Sequence, residues 1–151
     1  MQVDEQQLFE VSRDVWSSLL GLQVRSANPL PATGVERVWS SRINVSGDWQ
    51  GAIVIECPES IGRHAAAMLY EADGEATPED EIRDALSEVA SKIGDRVRSL
   101  LPEDARLSRP ATSVNGTDLA AGQGVRELHL DCEGRPVRIA LLDVAPAAVA
   151  D

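Results

Sequence analysis

The longest periodic stretch of the chain runs from Thr77 to Leu101 and predicts an amphipathic helix. Its apolar residues recur every three or four positions, as one buried face of an α-helix requires. They are Ile82, Leu86, Val89, Ile93, Val97 and Leu100. We expect Thr77 to cap this helix, with Pro78 at its first position and Asp80 completing a pattern like a capping box. Pro102 follows its expected end.

The same kind of periodicity predicts two shorter helices, over about residues 4–20 and 59–71. Alternating or β-branched stretches predict a hairpin before the second helix and more strands after the long one. The predicted strands are residues 38–45, 51–57, 106–114, 125–132 and 137–142. Because the helices are grouped rather than alternating regularly with strands, the order favours an α+β fold. We expect a largely antiparallel or mixed sheet with the long helices packed on one face.

The length of 151 residues suits one domain with a core of its own. We expect this domain to cover residues 1–144, with residues 145–151 as a flexible tail. Residues 28–34 and 115–124 are rich in Pro, Gly and Asn and are interpreted as loops.

A net charge of −11 disfavours binding to nucleic acid or to an anionic membrane surface. There is no apolar run long enough for a transmembrane helix, and the acidic, polar N-terminus is unlike a signal peptide. Cys57 and Cys132 lie in separate predicted strands. Two buried thiols in a reducing cytoplasm explain them, although the sequence leaves a disulfide open.

Common catalytic and metal-binding motifs are missing from the sequence. There is no GxGxxG, no Walker-type loop and no HExxH. His64 and His129 are far apart along the chain, and no Cys/His cluster has the spacing of a metal site. We interpret both histidines as surface or structural residues and expect no metal or cofactor of the chain's own.

The remaining candidate chemistry is the polar face of the long helix. At about 100° per residue, five polar side chains lie opposite its apolar stripe. They are Asp84, Glu88, Ser91, Asp95 and Arg98. A solvated face whose acids pair with Lys92 or Arg98 is one interpretation. The other is a binding or catalytic surface, with Glu88 and Ser91 one turn apart.

The stretch from Asp84 to Ser91, DALSEVAS, resembles the Asp-x-x-x-Glu-x-x-Asn motif of the CheX/CheC chemotaxis phosphatases. Ser91 stands where that family has Asn, and Asp95-Arg96 stands where many members have Gly-Asn. Arg96 brings a bulky charge near the same surface. The hairpin around residues 43–55, the helix around 65–69 and the strand around 138–142 are also similar. The likeness covers about residues 5–144, with one copy of the active-site helix.

The resemblance implies a protein that hydrolyses the aspartyl phosphate of a CheY-like receiver domain. Glu88 would pair with the receiver's active-site lysine, and Ser91 would take the place of the amide that positions the attacking water. The docking face would comprise Asp84, Ser87, Glu88, Ser91 and Asp95. Mg²⁺ would be bound by the receiver, so this chain would need no cofactor.

The resemblance further implies a cytoplasmic homodimer in which the sheets of two subunits meet edge to edge. Three interpretations of the chain remain open at this point. It is a phosphatase that uses Ser91, a receiver-binding module that keeps the scaffold but has lost catalysis, or an unrelated α+β domain.

Overall fold

Three helices and seven strands make up the part of the chain that the computed structural model describes, residues 3–27, 37–70, 77–114 and 123–143. The helices are α1 (Glu5–Leu20), α2 (Glu59–Tyr70) and α3 (Glu79–Arg98). The strands are β1 (Val24–Ser26), β2 (Val38–Ser46), β3 (Gly51–Pro58), β4 (Arg106–Leu107), β5 (Ala111–Val114), β6 (Gln123–Cys132) and β7 (Arg135–Asp143).

The strands form one antiparallel sheet in the order β1-β6-β7-β3-β2-β4, and β5 also pairs with β2. The three helices cover one face, where their apolar residues form a single core with alternate residues of the strands, such as Ile43, Ile53 and Ile139. The opposite strand positions Ala52, Val54, Ala140 and Leu142 form a second, smaller buried cluster. The predicted α+β architecture is confirmed.

Local signals set the ends of α1. Asp4 accepts a hydrogen bond from the Gln7 amide, and the Gln7 side chain accepts one from the Asp4 amide, which completes a capping box. Gly21 ends the helix in the left-handed conformation, at φ 67°, which glycine adopts without a steric penalty. The predicted helix over residues 4–20 is therefore confirmed.

The predicted start of α3 is wrong by one residue. Pro78, not Thr77, occupies the N-cap position, and α3 begins at Glu79 without a side-chain cap. The reason is the extended backbone of Pro78, at ψ 154°, which is incompatible with a first helical position. The Pro78 carbonyl instead accepts the first hydrogen bonds, from the amides of Glu81 and Ile82.

Other boundaries also differ from the sequence prediction, and α3 ends at Arg98 rather than at Leu101. The expected strand over residues 106–114 is divided into β4 and β5, because residues 108–110 leave the ladder near Pro110. β6 begins at Gln123, so residues 123 and 124 belong to a strand rather than to the predicted loop. The rest of that loop, the loop at 28–34 and the tail at 145–151 lie outside the described residues.

Two glycines allow the helices to approach their neighbours closely. A Cβ on Gly62 of α2 would lie 2.7 Å from Cγ2 of Ile82, so α2 contacts α3 directly at this point. A Cβ on Gly94 of α3 would lie 2.8 Å from Cδ1 of Ile43 in β2. Both separations are shorter than a carbon–carbon contact allows, so the position of α3 depends on the missing side chains.

Cys57 and Cys132 are buried and form no disulfide, as the simpler interpretation of the sequence predicts. Burial raises the pKa of Cys132 to about 11, which keeps this thiol protonated and unreactive at neutral pH. No helix in the described part of the chain is long and apolar enough to cross a membrane.

Candidate functional site

The α3 helix buries one face and exposes the opposite one, as its periodicity predicts. Ile82, Leu86, Val89, Ile93 and Val97 are buried, and Leu100, just beyond the helix, packs partly against the same core. The helix lies over β2 and β5 on one side and against α1 and α2 on the other. Its outer face is thereby held at the surface by contacts along both flanks.

Four of the five predicted site residues lie on that outer face. Asp84, Glu88 and Asp95 are exposed, and Ser91 is half-buried. Residues three apart on a helix are surface neighbours, with Cβ atoms about 5–6 Å apart, so Glu88 and Ser91 present a carboxylate and a hydroxyl side by side. No described residue forms a hydrogen bond with the Ser91 hydroxyl.

Few ion pairs within the chain involve the carboxylates of this face. The Glu88 carboxylate lies 3.8 Å from the Lys92 ammonium, and both side chains are about half exposed. Within the described ranges, Asp84 and Asp95 form no ion pair. The Arg98 guanidinium donates instead to the Ala105 carbonyl, at 3.2 Å. The face therefore presents carboxylates that few cations of the chain neutralise.

Ser87, the fifth predicted residue, is half-buried and points to the sheet. Its hydroxyl lies 2.8 Å from that of Thr112 in β5, which lies 2.8 Å from the buried hydroxyl of Ser41 in β2. This chain of three hydroxyls joins α3 to two strands one turn before Ser91. Sequence reasoning missed Ser41 and Thr112, because only the pairing of β5 with β2 brings them together.

Arg96 lies away from the outer face, although the sequence placed it near that surface. Its guanidinium is 3.9 Å from the Asp14 carboxylate of α1. It therefore does not crowd Glu88 or Ser91. Arg96 follows the stretch Asp84–Ser91 in the sequence but does not cover it in the structure.

Tyr70, at the end of α2, is a neighbour of the site that the sequence did not indicate. Its side chain is 45% exposed, and it lies within electrostatic range of Asp84 and Glu88. Partial burial and these two negative charges raise the pKa of Tyr70, so the phenol stays protonated at neutral pH. No regular pattern within α2 marks an exposed aromatic residue as functional.

Both histidines contact other residues of the chain. The His64 ring lies 2.9 Å from the Leu20 carbonyl, which fastens α2 to the end of α1. His129 lies 3.2 Å from Glu127 on the sheet face away from the helices. Among the described residues, there is no group of three metal-ligating side chains.

The arrangement is suited to binding and orienting a partner rather than to chemistry on its own. Carboxylates attract a cation, and a serine hydroxyl both donates and accepts a hydrogen bond, so it can hold a water molecule. Neither histidine lies beside Ser91, because the His64 ring contacts the Leu20 carbonyl and the His129 ring contacts Glu127.

The sequence matches the family model for the chemotaxis phosphatase CheX over residues 39–133. Searching curated proteins found no match. Solved structures with the same fold include CheX from Desulfovibrio desulfuricans, with a TM-score of 0.71 and 14% identity over 92% of this chain and 97% of that one. CheX from Vibrio vulnificus has a TM-score of 0.70 and 13% identity, over 91% and 94% of the two chains.

A third similar structure is the CheX–CheY–BeF3–Mg²⁺ complex from Borrelia burgdorferi. Its TM-score is 0.70 and its identity 15%, over 91% of this chain and 95% of that chain. At such low identities the structures establish the shared fold, and the family model carries the assignment. That model spans well over half of the chain and includes all of α3. The chain therefore belongs to the CheX family of chemotaxis phosphatases.

Proposed function

We propose that this protein binds a phosphorylated CheY-like receiver domain through the outer face of α3 and hydrolyses its aspartyl phosphate. The observation that carries the proposal is the pair of exposed Glu88 and half-buried Ser91 on the outer face of α3, one turn apart at the motif positions of the family. The Borrelia relative, solved with CheY, BeF3 and Mg²⁺, supports a receiver as the partner.

Glu88 is proposed to recognise the receiver by pairing with a lysine beside its phosphorylation site. The carboxylate is exposed, and its partner within the chain is a weak one at 3.8 Å. An exposed pair of this kind contributes little free energy, so a lysine from a partner can displace Lys92 at small cost. Asp84 and Asp95 add negative charge on the same face and favour the same cation.

Ser91 is proposed to orient the attacking water. Water adds to phosphorus, the bond between phosphorus and the aspartate oxygen breaks, and the products are the free carboxylate and inorganic phosphate. Such a displacement depends on positioning and on charge neutralisation, and the receiver's Mg²⁺ supplies the latter. Ser91 has a shorter side chain than Asn and offers one proton rather than two.

The hydroxyl chain through Ser87 supports a positioning role for this part of α3. Hydrogen bonds at 2.8 Å join Ser87, Thr112 and Ser41, and they fix the rotation of α3 one turn before Ser91. A group that positions water tolerates little displacement, since a misplacement of about 1 Å costs on the order of 100-fold in rate. Ser87 is therefore proposed as a support of the docking face.

The test is the decay of a ³²P-labelled CheY-like receiver from the same organism, with wild-type protein and with Ser91→Asn. We expect the wild type to accelerate decay, and Ser91→Asn to accelerate it further, by about 10- to 100-fold, because the amide restores reach and a second donor. Ser17→Asn, at an exposed position of α1, is the matched control. With it, the labelled receiver should decay at the same rate as with the wild type.

Two other outcomes separate the alternatives. Acceleration by Ser91→Asn with an inactive wild type would identify a receiver-binding module that has lost catalysis. No acceleration by either protein, with no binding of any receiver, would contradict the proposal as a whole.

A homodimer in the cytoplasm completes the proposal. β6 pairs with β1 only at Leu130–Cys132, so no described strand pairs with its outer side between Gln123 and Leu128. A side of β6 that pairs with no other strand of its own chain would accept a strand from a second copy. Sedimentation equilibrium tests the state: a monomer at 16.2 kDa throughout the micromolar range would contradict the dimer.

A further inference from the structure

The α2 helix brings the chain's single tyrosine to the docking face of α3. Tyr70 is 45% exposed, although it is one of few aromatic residues in a chain with 3% aromatics. No described residue hydrogen-bonds to its hydroxyl. An exposed aromatic ring beside a binding surface is a common anchor for a protein partner.

The placement of Tyr70 follows from the way α2 runs beside α3. Arg37 forms ion pairs with Glu59 and Glu79, which brings together the first residues of both helices. Gly62, three residues further along α2, packs against Ile82 and Leu86. The two helices therefore run side by side in the same direction.

This geometry brings the end of α2 to the level of the candidate pair. Tyr70 lies eight residues beyond Gly62, which is about 12 Å along a helix. An equal distance along α3 from Ile82 and Leu86 reaches the turn that contains Ser91. The electrostatic neighbours of the phenol are Asp84 and Glu88, in the turns just before it.

We propose that Tyr70 forms a cation-binding site together with Asp84 and Glu88, and that this site takes the lysine of the receiver. The inference rests on the proposed function and adds a residue to it. Asp84 and Glu88 carry negative charge near the ring, and the nearest cation of the chain, Lys92, lies 3.8 Å from Glu88 in an exposed pair that a partner's lysine can displace. This charge selects a cation from the partner.

A lysine side chain matches both parts of this site. Its methylene groups pack against an aromatic ring while its ammonium group reaches the carboxylates. The face of a tyrosine ring also attracts the ammonium group directly. The phenol hydroxyl contributes less, because the ring and not the hydroxyl provides the packing surface.

The test is the dissociation constant for a CheY-like receiver of the same organism, loaded with BeF3 and Mg²⁺, against variants at this site. We expect Tyr70→Ala to weaken binding about 10-fold and Tyr70→Phe by no more than about 2-fold, because phenylalanine keeps the ring. Met68→Ala is the matched control, since Met68 is 53% exposed on another side of α2. It should bind as the wild type does.

The outcomes distinguish this inference from the function on which it rests. Weakening by Glu88→Gln without weakening by Tyr70→Ala would overturn the role of Tyr70 and leave the proposed function intact. A wild type that binds no loaded receiver would overturn both.

A receiver whose active-site lysine is replaced by methionine gives the sharper result. Against it, the loss caused by Tyr70→Ala should fall to about 2-fold, because the cation is gone. An unchanged 10-fold loss would show that Tyr70 contacts something else. An unchanged melting temperature for Tyr70→Ala would show that the effect is not one of folding.

Discussion

Two glutamates at helix surfaces, Glu59 and Glu88, have opposite surroundings. Glu59, at the first position of α2, is 17% exposed and accepts hydrogen bonds from Trp39, Arg37 and Arg63. Glu88, halfway along α3, is 46% exposed and has Lys92 as a distant partner. The same type of side chain thus stabilises the fold in one place and is accessible to solvent in the other.

The contrast separates a carboxylate that stabilises the fold from one that the proposed function assigns to recognition. At Glu59, burial alone would raise the pKa, but the hydrogen bonds from Trp39 and Arg37 and the charges of Arg37 and Arg63 outweigh it, so the pKa lies below its ordinary value. The carboxylate holds the start of α2 to β2. An acid that is so fully used cannot also bind a partner, whereas Glu88 can.

The largest expected effect is that of Glu59→Ala on stability. The change leaves the buried indole N–H of Trp39 without its acceptor and Arg63 without the anion with which it pairs, while Arg37 keeps only Glu79. We expect a loss of about 2 kcal/mol in the free energy of unfolding, measured in urea. Glu88→Ala is the control and should change it by less than about 0.5 kcal/mol. Equal losses would refute the contrast between the two glutamates.

A smaller effect on stability is expected when the pH is lowered. Because the pKa of Glu59 is lower in the folded protein, its stabilising contribution is complete above the ordinary pKa and is lost as the pH falls through the lowered one. Glu59→Gln carries no such charge. The stability difference between wild type and Glu59→Gln should therefore be largest near pH 7 and shrink toward pH 3, as followed by thermal unfolding.

The control for the pH series is Met68→Ala, which removes no titrating group and should keep a constant difference from the wild type. Glu127 acts in the same direction, since hydrogen bonding from Arg138 lowers its pKa. It is present in both proteins and cancels in the comparison. A gap that widens on acidification would mean that Glu59 is not the charged partner in the folded protein.

The parts of this protein that follow a local rule could be predicted from its sequence. The buried stripe of α3 was predicted because helical periodicity reports directly which residues face the core. The cap of α3 was misplaced, because the choice between Thr77 and Pro78 depends on one backbone angle that the composition does not determine. The proposed roles of Glu88 and Ser91 come from the family resemblance, whereas periodicity predicts only that both lie on the outer face of α3.

The parts that depend on packing between distant segments could not be predicted. Thr112 meets Ser41 and Ser87 through the pairing of β5 with β2, and the three residues span 72 positions of the sequence, from 41 to 112. Tyr70 comes near Asp84 and Glu88 through the packing of α2 on α3, where Gly62 allows a close approach, and Gly94 allows α3 to approach β2. Neither glycine stands in a motif, so the sequence contains no signal for the contact.

The smallest expected effect on stability comes from changing Lys92, the residue that pairs with Glu88. Lys92→Gln removes the cation nearest to its carboxylate, at 3.8 Å. Stability should fall by only about 0.3 kcal/mol, the usual contribution of an exposed pair at this spacing. Receiver binding should tighten by about 2-fold, because the partner's lysine no longer competes with Lys92, and the gain should vanish at 1 M salt.

Arg96→Gln removes a cation that faces α1 and should leave binding unchanged. Weaker binding by Lys92→Gln would mean that Lys92 itself contacts the receiver, and Glu88 would then be less open than its surroundings indicate.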